Sequence, residues 1–402
     1  METALLHVYD DLLTAMDNRK HILVTLLDYS AAFDTIDHSI LFKRLQNSYG
    51  LTGPALKWVE SYFTNRHQAV CIKGISSEQM ELPYGMPQGS IFGPFSYPKY
   101  SHPMAHIGKK HNIECHQYAD DTQLYVVCDV EDANECRKRL EECIEEIRSW
   151  STNNKLKLND SKTEFLVVSS KHARSLPEVT EISVGEDTVS AVTSARNIGA
   201  QMDNKLTMED HVNGVCRSAY VHLRNIAHIR RYLTQDVTAT LIHSLVTSRL
   251  DNLNSLLHGL PDTLINKLQR IQNHAAKVVV RKKKSDHVTP ILQSLHWLPV
   301  PFRIEYKLLL IAFKCLHDQA PPYLVSRIQR YTPGRALRSS DQFLLCEPRA
   351  KLRTYGDCAF SVVAPRLWNC LPLDMRKCDC LDSFKSQLKT YMCRKAFELY
   401  SF

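Results

Sequence analysis

The feature that most constrains this chain is a pair of adjacent aspartates, Asp120 and Asp121, inside a strand-forming stretch at residues 115–127. Aromatic and β-branched residues flank the pair, which favours a strand on each side. Because neighbouring side chains of a strand point to opposite faces, a tight turn is the arrangement that presents both carboxylates at one edge. Two like charges held together favour a cation such as Mg²⁺, although an isolated Asp-Asp pair is more often an ordinary exposed turn.

A third acid, Asp28, follows a predicted buried strand. Residues 22–27 form a continuous apolar run of strand length that ends at Asp28. A carboxylate at the end of a buried strand is a common catalytic position, whereas Asp28 taken alone is also compatible with a helix cap. Farther along, the segment Gly85–Ser90 contains two glycines and a proline, which predicts a turn that another molecule can approach closely.

The overall pattern predicts two regions of different character. Up to about residue 200, strands alternate with helices, which indicates an α+β sheet domain over residues 1–200. From 201 to 402 the periodicity is mostly helical. The predicted helices lie at residues 1–16, 54–63, 132–150, 221–232, 236–250, 264–280 and 303–316, and the predicted strands include 22–27, 68–73 and a segment within 156–168.

Composition narrows the classes of protein. The thirteen cysteines are odd in number and lack the spacing of a disulfide framework, which favours a reducing compartment, the nucleus or cytoplasm, over secretion. They also form no CxxC pair, so Cys378 and Cys380 are better explained as core or surface thiols than as zinc ligands. No apolar run is long enough to span a membrane, and no signal peptide is evident at the start. The net charge of +7 favours a polyanionic partner. The basic cluster at 281–284 suits either a helix C-terminus or phosphate.

Three motifs in a fixed order resemble the palm of reverse transcriptases: Asp28-x-Ser-x-Ala-Phe33-Asp, Gly85-x-Pro-Gln88-Gly89-Ser, and Tyr118-Ala-Asp120-Asp121. The phrases LLDYSAAFDTIDHSIL, YADDTQLY, NNKLKLNDSKTEFLV and LHWLPVPFRIEYKLLLIAFKCLH are most similar to the LINE-type, non-LTR retrotransposon group. The resemblance covers nearly the whole chain. It implies a polymerase-type palm sheet with packed helices, followed by a mainly helical thumb and C-terminal region.

The resemblance also implies a set of site residues. Asp28, Asp120 and Asp121 match the triad that holds two Mg²⁺ ions, and Lys162 matches the lysine proposed to protonate the departing pyrophosphate. The remaining matches concern substrate: Phe33 is similar to the residue that excludes a 2′-hydroxyl, and Gln88 and Gly89 to the turn that meets the templating base pair. The implied partners are an RNA template, a DNA primer and deoxynucleoside triphosphates. Taken singly, Phe33 also suits a core, Gln88 a turn and Lys162 a solvated surface.

Two departures from the family pattern keep alternatives open. The chain begins almost at the palm, so we expect the endonuclease domain and most of the fingers, which supply phosphate-clamping residues, to be missing. Pro98 also falls in a predicted helix, where it removes a backbone hydrogen bond. The alternatives are a catalytically inactive, truncated copy that retains only nucleic-acid binding, and a different palm-type polymerase or cyclase. Gln88 and Tyr118 argue against the last of these, and the sequence indicates no oligomeric state.

Overall fold

The computed structural model describes residues 1–87, 89–333 and 342–398. The chain divides into two compact units, which are described separately. The sheet unit is Lys20–Ile198, and the helical unit combines Met1–Arg19 with Gly199–Phe402. The N-terminal helix is therefore grouped with the helical unit, although it directly precedes the sheet unit in the sequence.

The strands and helices of the described residues are numbered in chain order. The strands are β1 His21–Leu27, β2 Tyr29–Ser30, β3 His67–Gln68, β4 Cys71–Ile72, β5 Ile75–Ser76, β6 Met80–Glu81, β7 Glu114–Tyr118, β8 Asp121–Cys128, β9 Lys157–Leu158, β10 Glu164–Val168, β11 Glu181–Val184, β12 Asp187–Ser190, β13 Ser194–Asn197 and β14 Ala200–Asp203. The helices are α1 Glu2–Asp17, α2 His38–Asn47, α3 Gly53–Phe63, α4 Phe92–Ser101, α5 Met104–Lys110, α6 Ala133–Asn153, α7 Glu209–Ile229, α8 Gln235–Ile242, α9 Ser248–Asp251, α10 Asp262–Val279, α11 Thr289–Ser294, α12 Val300–Leu316, α13 Pro322–Val325, α14 Phe360–Asn369, α15 Leu373–Arg376 and α16 Leu381–Glu398.

The sheet unit is built on a four-stranded antiparallel sheet with the order β10-β1-β8-β7. Every residue of β1 is buried, because the strand is apolar apart from His21 and Thr25 and is paired on both sides. This confirms the strand predicted at 22–27. Helix α6 packs against β8 and buries its apolar stripe, which confirms the helix predicted at 132–150; the buried residues of that stripe include Cys136, Leu140, Cys143, Ile144 and Ile147.

Two of the local predictions were wrong in detail. The single strand predicted at 68–73 is instead split between β3 and β4, which pair separately with β6 and β5. All of these strands are exposed, so no buried face fixes one continuous register. The helix predicted at 236–250 is interrupted by a π-helical turn at His243–Thr247.

The helical unit buries one stripe from each of its longer helices. In α10 the buried residues recur at helical spacing, as the pattern at 264–280 predicts; they are Leu264, Leu268, Ile271, Gln272, Ala275, Ala276 and Val279. Within the described ranges, no helix combines the length and apolar character needed to cross a membrane. The cysteines are all free thiols. The chain is thus a mixed α and β protein, as expected.

Candidate active site

The pairing of β1 with β8 brings the sequence-distant aspartates to one end of the sheet. Leu27 lies opposite Thr122 in the last pair of this register, and Asp28 directly follows Leu27 while Asp121 directly precedes Thr122. The β7–β8 hairpin turns sharply between these strands, with Ala119 in the left-handed region at a φ of 55°. Asp120 sits in that turn. We call Asp28, Asp120 and Asp121 the acid edge.

The carboxylates of the acid edge influence one another electrostatically. Burial raises the pKa of Asp121, and the negative charges of Asp120 and Asp28 raise it further. The Oδ2 atom of Asp28 is buried and accepts no hydrogen bond. Its nearest cation is Lys162, whose Nζ lies 3.5 Å from that oxygen and whose side chain is 69% exposed. The acid edge therefore has a surplus of negative charge that a bound cation would relieve.

The position of Lys162 depends on a short segment that folds back beside Asp28. Strand β9 pairs with β2, and the Asn159 amide donates a hydrogen bond to the Asp28 carbonyl oxygen at 2.9 Å. A 3₁₀ turn at Asp160–Lys162 follows. Arg148 of α6 holds this turn by donating to both Asp160 carboxylate oxygens, at 3.0 and 2.6 Å. The structure therefore brings Lys162 to the acid edge.

Phe33 lies close to the same region through an aromatic neighbour. Its ring stacks on Tyr97 with the ring centroids 4.8 Å apart. Burial raises the pKa of the Tyr97 phenol, and the charge of nearby Asp120 contributes to the rise. Phe33 is half-buried, so part of its ring is accessible at the site. Tyr97, which the sequence analysis did not single out, therefore connects Phe33 with the acid edge.

The turn at Gly85–Ser90 contains two glycines, of which Gly85 is closely surrounded by other atoms and Gly89 is not. Gly85 has a φ of +84°, and a Cβ there would lie 2.7 Å from the Asp34 carbonyl oxygen, so only glycine fits. Gly89 also has a positive φ, of +79°, but nothing lies within 4 Å of its hypothetical Cβ. The backbone at Gly89 is consequently open to approach. Gln88, the other predicted residue of this turn, lies outside the described residues.

Arg196 is a candidate functional residue that sequence reasoning missed. It is exposed, and its positive charge opposes the rise in the pKa of Asp121. The neighbouring Asn197 is buried and donates from Nδ2 to Gln123 Oε1 at 3.0 Å, which ties β13 to β8. Only the fold shows that the charge of Arg196 acts on the acid edge in addition to that of Lys162.

The donor set of the acid edge fits a hard divalent cation, because all its ligand atoms are carboxylate oxygens and one of them is buried without a donor. Among the described residues, however, no group of three or more histidine, cysteine, aspartate or glutamate side chains is placed so that it could hold a metal ion. The three carboxylates thus share one edge without forming a closed cage.

Comparison with known proteins identifies the class. Residues 3–201 match the family described as "Reverse transcriptase (RNA-dependent DNA polymerase)". Through this domain the chain belongs to the reverse transcriptases, which generally use divalent metal ions. Its relatives place it in the LINE-type, non-LTR retrotransposon group. This confirms the resemblance drawn from the motifs.

Three relatives come from Drosophila melanogaster. The probable RNA-directed DNA polymerase from transposon BS is 23% identical over 57% of this chain and 25% of its own length. The corresponding protein from transposon X-element is 26% identical over 52% of this chain and 22% of its own length. The RNA-directed DNA polymerase from mobile element jockey is 24% identical over 50% of this chain and 22% of its own length. The aligned part of the chain therefore spans about a quarter of each relative or less.

Among solved structures, telomerase from Candida albicans, in complex with a TWJ fragment of telomeric RNA, is similar at a TM-score of 0.34 and 13% identity. The alignment covers 80% of this chain and 52% of that one. A similarity of this size supports no argument about the fold or the function.

Proposed function

We propose that the sheet unit is the palm of an RNA-directed DNA polymerase that extends a DNA primer on an RNA template. The observation that carries the proposal is the acid edge, where Asp28 and the Asp120–Asp121 turn meet within the residues that match reverse transcriptases. These acids are far apart in the sequence, so only the antiparallel register of β1 and β8 brings them together. The helical unit is assigned as the thumb and C-terminal extension that holds the template–primer duplex by its backbone.

The acid edge supplies the ligands for two Mg²⁺ ions in this proposal. When bound, such ions would activate the primer 3′-hydroxyl and neutralise the triphosphate of the incoming deoxynucleotide. Asp28, Asp120 and Asp121 would hold these ions, whose charge would offset the mutual repulsion of the carboxylates. Asp120 is proposed as the firmer ligand of the adjacent pair, because the resemblance to reverse transcriptases implies a lesser role for the second acid.

Two cations complete the chemistry on the protein side. Lys162, 3.5 Å from Asp28, donates a proton to the departing pyrophosphate. Arg196, whose positive charge acts on Asp121, binds a phosphate group of the substrate. Phe33, supported by the Tyr97 ring, lies below the sugar and rejects a 2′-hydroxyl.

The test is primer extension by the purified chain on an RNA template with Mg²⁺ and deoxynucleoside triphosphates. We expect Asp120→Asn to abolish extension, with a loss of at least about 10³-fold, because a neutral amide is a poor ligand for Mg²⁺. Asp129→Asn is the matched control, since Asp129 lies just past the other end of β8 and pairs with Lys20 at 3.1 Å. Absence of extension by the unmodified chain, or equal loss in both variants, would overturn the proposal.

A second candidate function is nucleic-acid binding without catalysis. It is favoured by Pro98, which lies inside α4 and leaves the Pro94 carbonyl without its intrahelical donor, in the helix that also carries Tyr97. The exposed lysines at 282–284 and the net charge of +7 would support such binding. A salt titration of RNA–DNA duplex binding tests it: a steep fall in affinity with salt is expected, and a flat response would exclude phosphate contacts.

A further inference from the structure

The helical unit contains a cavity of about 420 Å³ that the proposed polymerase chemistry does not use. We call it the Trp297 cavity. Its lining includes Asn254 and Trp297, which are buried, and His243, His296 and Lys389, which are exposed. It therefore has a closed floor and a solvent-facing mouth, and its volume lies in the range of small-molecule sites.

Asn254, which lines the Trp297 cavity, has an unused hydrogen-bond acceptor. Asn254 is 2% exposed, and its Oδ1 is buried and accepts no hydrogen bond. Its Nδ2 makes a long contact of 3.4 Å with Asp251. Buried polar atoms are nearly always paired, so an unpaired acceptor in the wall of a cavity calls for a donor from outside the protein.

Backbone strain occurs at two points of the same wall. Leu253, just before Asn254, has a φ of 58°, and His296, just before Trp297, has a φ of 54°. Left-handed backbone at residues other than glycine costs on the order of 1 kcal/mol or more, and it is typical of binding sites. Both strained residues therefore lie next to the buried side chains that form the cavity floor.

The charges around the Trp297 cavity leave one cation unpaired. Arg303 donates two hydrogen bonds to the Asp251 carboxylate, and Lys307 pairs with Glu2 at 3.0 Å. Within the described ranges, Lys389 has no acidic partner. Burial lowers the pKa of His243, and the positive charges of Arg303 and Lys389 lower it further, so these groups lie close together. The mouth is consequently suited to an anion.

Flat rings lie beside this charge. The His243 ring meets Trp297 edge-on at a centroid distance of 5.0 Å, and Tyr306 also lines the cavity. A ligand that uses the whole site needs an anionic group for Lys389, a flat ring for the aromatic wall and a hydrogen-bond donor for Asn254. A nucleoside phosphate has all three features, since rings and cations combine in the same way at single-strand binding sites.

We infer that the Trp297 cavity binds one nucleoside phosphate, with the phosphate at Lys389 and a base or sugar donor at Asn254. The inference goes beyond the proposed polymerase activity and does not depend on it. Asp251 and Glu2 are already paired with cations, so the cavity offers no free carboxylate for a metal ion. The bound unit is either a free nucleotide or the phosphorylated end of a strand, which share this chemistry.

The experiment is calorimetric titration of the whole chain with adenosine 5′-monophosphate in EDTA, which keeps divalent ions away from the acid edge. We expect saturable binding that is tighter than that of inorganic phosphate or adenosine. Lys389→Ala should weaken it about tenfold, as expected for the loss of one charge-assisted hydrogen bond. Lys385→Ala is the matched control, because Lys385 lies one turn earlier on α16, pairs with Asp382 and does not line the cavity.

Asn254→Leu separates a binding role from a structural one. Removal of an unpaired buried acceptor should raise the melting temperature, whereas the same change should weaken nucleotide binding at least fivefold. Asp120→Asn should bind the nucleotide as the unmodified chain does, so failure of the polymerase proposal leaves this result intact. Competition by a 5′-phosphorylated RNA pentamer supports a strand end as the source, and its absence supports a free nucleotide. Equal binding of phosphate alone, or an unchanged affinity in Lys389→Ala, would overturn the inference.

Discussion

The carboxylates of the two units differ in how completely they are satisfied. In the helical unit, Asp10 is 1% exposed and accepts hydrogen bonds from both the amide and the hydroxyl of Ser361, each at 2.8 Å. It also pairs with Arg327 at 3.4 Å. Asp17 likewise accepts from the amides of Lys351 and Leu352. These acids are fully used in holding α1 to later segments of the same unit.

The acid edge of the sheet unit is the opposite case. Asp28 has a buried oxygen with no hydrogen bond and one loosely placed lysine, and Asp121 is crowded by two like charges. Such an arrangement costs stability unless a ligand compensates it. Structural carboxylates have their full set of hydrogen-bond donors and cations, whereas carboxylates that bind a ligand lack part of that set. Four predictions follow from the properties of the two units.

The largest expected effect concerns Asp28. We expect Asp28→Asn to lower the primer-extension rate at least about 10³-fold, because a metal ligand is lost, while the free energy of unfolding changes by less than about 1 kcal/mol. The measurements are single-turnover extension and urea unfolding. A variant that fails in extension because it is unfolded would place Asp28 with the structural acids and break the comparison.

Asp17 should show the reverse pattern. Asp17→Ala removes the charged acceptor of the Lys351 and Leu352 backbone amides, so we expect a loss of about 1.5–3 kcal/mol in the free energy of unfolding. Gly356 adds to the constraint, since its missing side chain makes room for this carboxylate. Asp379→Ala is the control, because that side chain is 99% exposed and should change stability by under about 0.5 kcal/mol. Equal effects of the two substitutions would contradict the assignment.

The third prediction concerns acid stability of the helical unit. Burial, reinforced by the charge of Arg366, lowers the pKa of His258 to about 4. The folded state therefore holds the neutral ring, and the stability from this group is complete above the unfolded pKa of about 6.5 and lost as the pH falls towards 4. We expect His258→Gln to remove about 2 kcal/mol of the stability difference between pH 7 and pH 4.5.

Denaturant unfolding at a series of pH values measures this effect. His287→Gln is the matched control, since His287 is an exposed histidine in the same unit. An unchanged pH dependence in His258→Gln, or an equal change in the control, would show that another group controls acid unfolding.

The smallest effect should come from Lys162. Because it is exposed and acts on the leaving group only, Lys162→Gln should lower the extension rate about tenfold, and Lys162→Arg should not restore the rate, since a guanidinium does not give up its proton. Lys157→Gln, in the neighbouring strand β9, is the control for a general loss of charge. If Lys157→Gln lowered the rate as much as Lys162→Gln, Lys162 would contribute only general attraction for phosphate and not a specific proton transfer.

Local patterns in the sequence predicted several elements correctly. The apolar run of β1, the stripe of α6 and the stripe of α10 are each determined by residues within one turn or one strand. The ordered motifs likewise identified the reverse transcriptase family, which the comparisons confirm. The roles of Asp28, Asp120, Asp121 and Lys162 remain proposals.

What the tertiary structure decided depends on pairs of residues far apart in the chain. The β1–β8 register brings the ends that carry Asp28 and Asp121 together, and in the fold the charges of Asp28 and Arg196 both act on Asp121. The same holds for α1, whose acids find their donors beyond residue 350. A single sequence records which residues favour a strand or a helix. It does not record which carboxylates obtain hydrogen-bond donors from distant segments once the chain has packed. That pairing distinguishes the fully hydrogen-bonded acids of the helical unit from the acid edge.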